Sequence, residues 1–115
     1  MNTFDDTATS LPMWIDAAEA DLPEGARRLV RREGHEIALF RIAGTYYAIA
    51  DGCPHAGGSL VLGKLDGTIV TCRAHGLRFD VRSGCQAGSS SGLKTRSYPV
   101  RVHDGRLEIE LEPTA

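Results

Sequence analysis

The residues of this chain best equipped for chemistry come in two pairs: Cys53 with His55 in "CPHAGG", and Cys72 with His75 in "CRAHG". They use two of the three cysteines and two of the four histidines, and sixteen residues, 56–71, separate the pairs. Two thiolates and two imidazoles satisfy either a tetrahedral zinc ion or an iron–sulfur cluster in which histidine replaces cysteine at one iron. Structural zinc sites usually pair cysteine with cysteine and histidine with histidine, each pair making one knuckle. Here each loop supplies one of each. That mixture suits a two-iron cluster, with every loop sending its cysteine to one iron and its histidine to the other. Zinc stands as the alternative.

Such ligands need a scaffold that presents loops, and the rest of the chain reads as short strands joined by turns. "HEIALFRI" (35–42) and "YYAIA" (46–50) flank "AGT" as one hairpin. "SYPVRV" (97–102) and "RLEIEL" (106–111) flank "HDG" as a second, with Asp104 and Gly105 supplying the turn. Alternation in the last strand points Leu107, Ile109 and Leu111 to the core and Glu108 and Glu110 to water. Between the hairpins, residues 51–92 are glycine-rich and hold every cysteine. Short strands such as "TIVTC" fit there, but the segment has too few apolar residues to be a core in its own right. It is expected to be a loop-built site mounted on a sheet. Residues 1–12 are expected to be a flexible leader and 13–112 a single domain.

A chain of 115 residues can bury a modest core without disulfides. Its 42% hydrophobic and 24% charged composition is that of a globular protein. A net charge of -2 and a pI near 6.0 give no reason to expect binding to nucleic acid or an anionic membrane. The start, "MNTFDDTATSLPMW", carries acids where a secretory signal carries bases, and no apolar run is long enough to span a bilayer. The expected compartment is the cytoplasm, where an odd set of cysteines favours ligand or reactive roles over disulfides.

The combined pattern, CxH, sixteen residues, CxxHG and then "LRFDVRSG" (77–84), resembles the Rieske family, and within it the small Rieske-type ferredoxins of multicomponent ring-hydroxylating dioxygenases. The likeness runs from about Trp14 to Leu111 and includes "GTYYAIADGCPHAGGSL" and "YPVRVHDGRLEIEL". It implies an all-β Rieske fold, an antiparallel β-sandwich base with a small cluster-binding subdomain. It further implies one [2Fe-2S] cluster, with Cys53 and Cys72 on one iron, His55 and His75 on the other, and the imidazoles at a solvent-facing tip. Gly57, Gly58 and Gly76 would let the loops turn sharply and approach sulfur where a Cβ would obstruct. The implied role is a soluble, monomeric one-electron carrier, not an enzyme. It would stand between an NAD(P)H-dependent flavin reductase and a terminal Rieske oxygenase that hydroxylates aromatic rings. Two other readings are a Rieske-like small subunit of an assimilatory nitrite reductase and a redox-inert structural zinc module.

Departures from the family pattern carry information. Respiratory members brace the two loops with an additional cysteine in each; the matching positions here are Gly58 and Ala74. High-potential members donate hydrogen bonds to sulfur from a serine and a tyrosine, where this chain has Leu77 and Phe79. Loss of those donors predicts a potential near the low end of the Rieske range, about -150 mV. The third loop, "SGCQAGSSSGLK" (83–94), lacks the proline common in the family, which predicts a looser lid and a wetter cluster. Cys85 within it reads as an incidental thiol. His35 and His103 read as structural or merely exposed, and Arg27, Arg28, Arg31 and Arg32 as a solvated strand face. Trp14, Phe40, Tyr46 and Tyr47 read as scaffold packing. Asp51 and Asp80 flank the two ligand loops, as anchors or as charge near the port, with turn chemistry an equal explanation of Asp51 and no catalytic role for either.

Overall fold

Residues 37–40, Ile-Ala-Leu-Phe, run without a polar interruption, so the strand that holds them must be covered on both faces. A computed structural model of the chain describes residues 13–52, 58–73, 76–88 and 93–111. Among these residues are ten strands: β1 (Met13–Glu19), β2 (Arg27–Arg32), β3 (His35–Ile42), β4 (Thr45–Ala50), β5 (Lys64–Asp66), β6 (Ile69–Thr71), β7 (Arg78–Asp80), β8 (Ser97–Tyr98), β9 (Val100–His103) and β10 (Arg106–Leu111). A single 3-10 turn, Leu60–Leu62, precedes β5. No α-helix occurs among the described residues, and none of their helices is long and apolar enough to cross a membrane.

The strands form three antiparallel sheets, and β3 lies in the middle one, ordered β2-β3-β4-β8. On one side Ile37 and Leu39 pack with Val30, Ala48, Leu107, Ile109 and Leu111 against the sheet β1-β10-β9. On the other, Ala38, Phe40 and Ile49 pack with Leu60, Val70, Phe79 and Val81 against the small sheet β5-β6-β7. Burying each large side chain here stabilises the fold by about 1.5–3 kcal/mol. The segment read as a loop-built site thus carries a sheet of its own. It is not a core by itself, because β3 and β4 complete its apolar cluster.

Both expected hairpins form, and their turns explain their registers. Ala43 and Gly44 have φ of 52° and 79°, Asp104 and Gly105 of 53° and 74°, the left-handed pairs that close two-residue turns compatible with strand twist. Glu24 clamps the first turn by accepting hydrogen bonds from the Ala43 and Gly44 N–H groups. Glu33 and Gly34 make a third turn of the same kind between β2 and β3. The expected strand 97–102 is split at Pro99, which has no N–H to donate. Ser97 and Tyr98 pair with β4, whereas β9 pairs with β10 in the other sheet.

The side chains read as scaffold take scaffold roles. Phe40 is fully buried, Arg101 stacks 4.0 Å from the Trp14 ring centroid, and Arg41 lies over Tyr46. His35 Nδ1 lies 3.2 Å from the Tyr98 hydroxyl, and burial pushes the Tyr98 phenol above its ordinary pKa. His103 is exposed beside Asp104. Arg28 and Arg31 reach Asp21 and Glu36, and Arg32 bonds the carbonyls of Asp16 and Arg31.

Candidate metal centre

Three loops reach the same end of the small sheet. The first leaves β4 and returns through the 3-10 turn to Lys64, which pairs with Thr71 at the close of β6. The second joins Thr71 to Arg78, themselves partners. The third rises alongside β7, with the Ala87 N–H donating to the Arg78 carbonyl and Gly88 lying against the Arg78 guanidinium. Cys53, His55, Gly57, Ala74 and His75 fall outside the described residues, as do 1–12, 89–92 and 112–115. Of the four expected ligands, only Cys72 is described.

What the structure defines closely is how each loop is held at its base. Gly52 and Ser59 pair across the foot of the first loop, and the Leu60 N–H donates to the Asp51 carbonyl at 2.7 Å. The Asp51 side chain, 4% exposed, accepts the Ser59 hydroxyl at 2.6 Å on Oδ2 and the Val61 N–H at 2.7 Å on Oδ1. Its own N–H donates to the Glu36 carbonyl on β3. Asp51 is therefore an anchor, one of the readings that the sequence raised. The second loop is tight: the Cys72 N–H donates to the Leu77 carbonyl at 2.7 Å, and the Cys72 carbonyl accepts the Gly76 N–H at 2.9 Å. Gly76 has φ of +72°, and a Cβ there would meet no described atom within 4 Å, so conformation is what demands glycine. Bonds from Gln86 N–H to Leu93 and from Thr95 N–H to Gly84 zip the third loop.

Cys72 is 1% exposed and sits in the second core with Phe79, while Leu77 packs against that cluster. Its backbone groups are satisfied inside the loop, which fixes the direction of the side chain. A thiolate ligand fits this position: rigidly held, walled by apolar side chains, and beside two residues, Leu77 and Phe79, with no hydroxyl to offer. Cys85, by contrast, is exposed. Asp80 lies at the opposite end of β7 from the ligand loop. Arg82 bonds both its oxygens, and that bonding holds its carboxyl below the usual range. It supplies no free charge to the site.

The described residues thus form an all-β scaffold that braces three loops at their bases, with Cys72 buried beneath them. The Rieske [2Fe-2S] domain matches residues 13–99, and the chain belongs to that family, with one [2Fe-2S] cluster as its cofactor. It is 35% identical over 100 residues to the ferredoxin component of the naphthalene 1,2-dioxygenase/salicylate 5-hydroxylase systems of Ralstonia sp, covering 86% of this chain and 96% of that one. A chain in the complex of reduced oxygenase and oxidized ferredoxin of carbazole 1,9a-dioxygenase superposes with a TM-score of 0.78 at 32% identity, covering 89% and 96%. A putative NADH-dependent nitrite reductase small subunit from Mycobacterium tuberculosis shares the fold, with a TM-score of 0.76 at 24% identity over 88% and 96%.

Removing the Asp51 carboxyl should loosen the first loop. Asp51→Ala leaves the buried Val61 N–H without its acceptor and is expected to cost about 1–3 kcal/mol, with faster cluster loss on heating. Asp51→Asn, which keeps an amide oxygen, should cost less. Urea midpoints check this, and an Asp51→Ala protein as stable as the parent would contradict the anchoring role.

Proposed function

We propose that this chain is a cytoplasmic one-electron carrier, passing electrons from an NAD(P)H-dependent flavin reductase to a terminal Rieske oxygenase of the ring-hydroxylating kind. It is an electron-transfer component and not itself a catalyst. The observation that carries this reading is its match along 96% of the length of a dioxygenase ferredoxin component. The nitrite reductase subunit, at 24% identity, supports the shared fold alone.

Cys53 and Cys72 would hold one iron as thiolates, and His55 and His75 the other through ring nitrogens. The cluster supplies a one-electron couple whose two neutral imidazoles make it easier to reduce than an all-cysteine centre. The chain's own residues set the rest. Asp51 and the Cys72–Leu77 bond hold the loops in place, and Leu77 and Phe79 present apolar surface where hydroxyls would favour the reduced, more negative state.

Iron and acid-labile sulfide analysis tests the ligand set. Cys72→Ala should lose both, whereas Cys85→Ser should keep them and the visible spectrum. Stoichiometric zinc without iron in the parent protein would establish the zinc module instead. Leu77→Ser and Phe79→Tyr should each raise the midpoint potential, because each introduces a donor near sulfur; a fall or no change would sink that explanation.

A further inference from the structure

Charge is segregated along this chain in a way that its net value hides. Residues 52–98 contain six bases and two acids, a balance of +4 in a chain of net -2, so the remainder carries -6. Residues 53–57, 74–75 and 89–92 within that segment include no acid. On the solvent face of the small sheet the signs are sorted again. Lys64, Thr71 and Arg78 are cross-strand partners in the row from which the Cys72 loop leaves, and Asp66, Ile69 and Asp80 form the row at the far end. Leu65, Val70 and Phe79 between them belong to the core, so alternation turns both charged rows to water.

The basic row continues into the loops. Arg73, next to Cys72, is exposed, as are Lys64, Arg78 and Lys94. None of these four has an ion pair among the described residues, whereas Asp80 at the acidic end is engaged by Arg82. The Arg78 guanidinium reaches over Gly88, where a Cβ would stand 2.6 Å from Nη2, and so ties the basic row to the third loop. Leu62 is 61% exposed just before Lys64, and the intervening Gly63 packs against the Thr71 carbonyl. A bare leucine thus stands beside unpaired cations at the mouth of the ligand loops.

We propose that this face docks an acidic surface on the terminal oxygenase, with Leu62 as the apolar contact and Lys64, Arg73 and Arg78 as the steering rim. The inference rests on the carrier reading and adds the chemistry of the partner. Like charges held together without local counter-charge repel, and an acidic partner supplies what the segment lacks. Such complementarity raises encounter rates and orients the port.

The test uses reduced holoprotein and two small oxidants of opposite charge, ferricyanide and tris(phenanthroline)cobalt(III), in stopped-flow mixing. Raising ionic strength from about 0.01 to about 0.5 M should slow ferricyanide about fivefold and accelerate the cobalt complex. The net charge of -2 alone predicts the reverse, so a ferricyanide rate that climbs with salt would overturn the proposal. Poly-L-glutamate, an acidic polypeptide probe, should slow the ferricyanide reaction at low salt and poly-L-lysine should not; no effect of polyglutamate would also overturn it. Combining Arg73→Glu with Arg78→Glu should invert both salt slopes with the visible spectrum unchanged, whereas Arg101→Glu on the far sheet should leave them as they are. If the double variant loses its cluster, Lys64→Glu, outside the ligand loops, should still weaken the slopes, and unchanged slopes there would count against the rim. Absence of iron and sulfide from the parent protein would instead defeat the carrier reading, an outcome distinct from a wrong salt slope.

Discussion

The structure turns on one buried carboxyl group. Asp51 follows directly on β4, its N–H is committed to β3, and its two oxygens hold the returning end of the first ligand loop. A carboxyl buried without partners would be strongly destabilising, but with both oxygens bonded it becomes a rigid joint between scaffold and site. The loop it closes contains only Cys-Pro-His-Ala-Gly-Gly, with almost nothing apolar to hold it down. What the fold supplies is a fixed foot, the Gly52–Ser59 pairing and the Asp51 carboxyl.

The second ligand loop is held differently, from beneath. Cys72 belongs to an apolar cluster that β3 and β4 share with the small sheet, and this is possible because residues 37–40 are apolar on both faces. One strand therefore supports two layers: the β1-β10-β9 base on one side and, on the other, the apolar cluster of the small sheet that contains Cys72. The apolar floor that holds Cys72 also leaves its neighbours, Leu77 and Phe79, without hydroxyls. The side chains that hold Cys72 are thus the same ones for which the sequence predicts a low potential.

Much of this was legible in the sequence, because local rules govern it. The turns at Ala43–Gly44 and Asp104–Gly105 announce their hairpins, and the alternation of Leu107, Ile109 and Leu111 gives the inward face of β10. The Cys-x-His and Cys-x-x-His-Gly pairs point to the metal. What depends on distant partners was not legible. Pro99 marks a break, but only the sheet on each side decides that Tyr98 pairs with β4 and Val100 with β10. Asp51 and Asp80 look alike as flanking acids, yet one faces a buried turn and the other a neighbouring arginine. Net charge concealed the excess of bases over residues 52–98, which the sequence itself holds, and only register places Lys64 and Arg78 in one row.

The most direct test of the account is voltammetry of the purified protein on an electrode, scanned from mildly acidic to strongly alkaline pH. A one-electron couple near the low end of the Rieske range, about -150 mV, that falls at high pH as the proposed ligands His55 and His75 lose protons is the predicted result. A couple well above zero would contradict the link between the apolar floor and the potential. No couple at all, in protein shown to contain its metal, would contradict the redox centre itself.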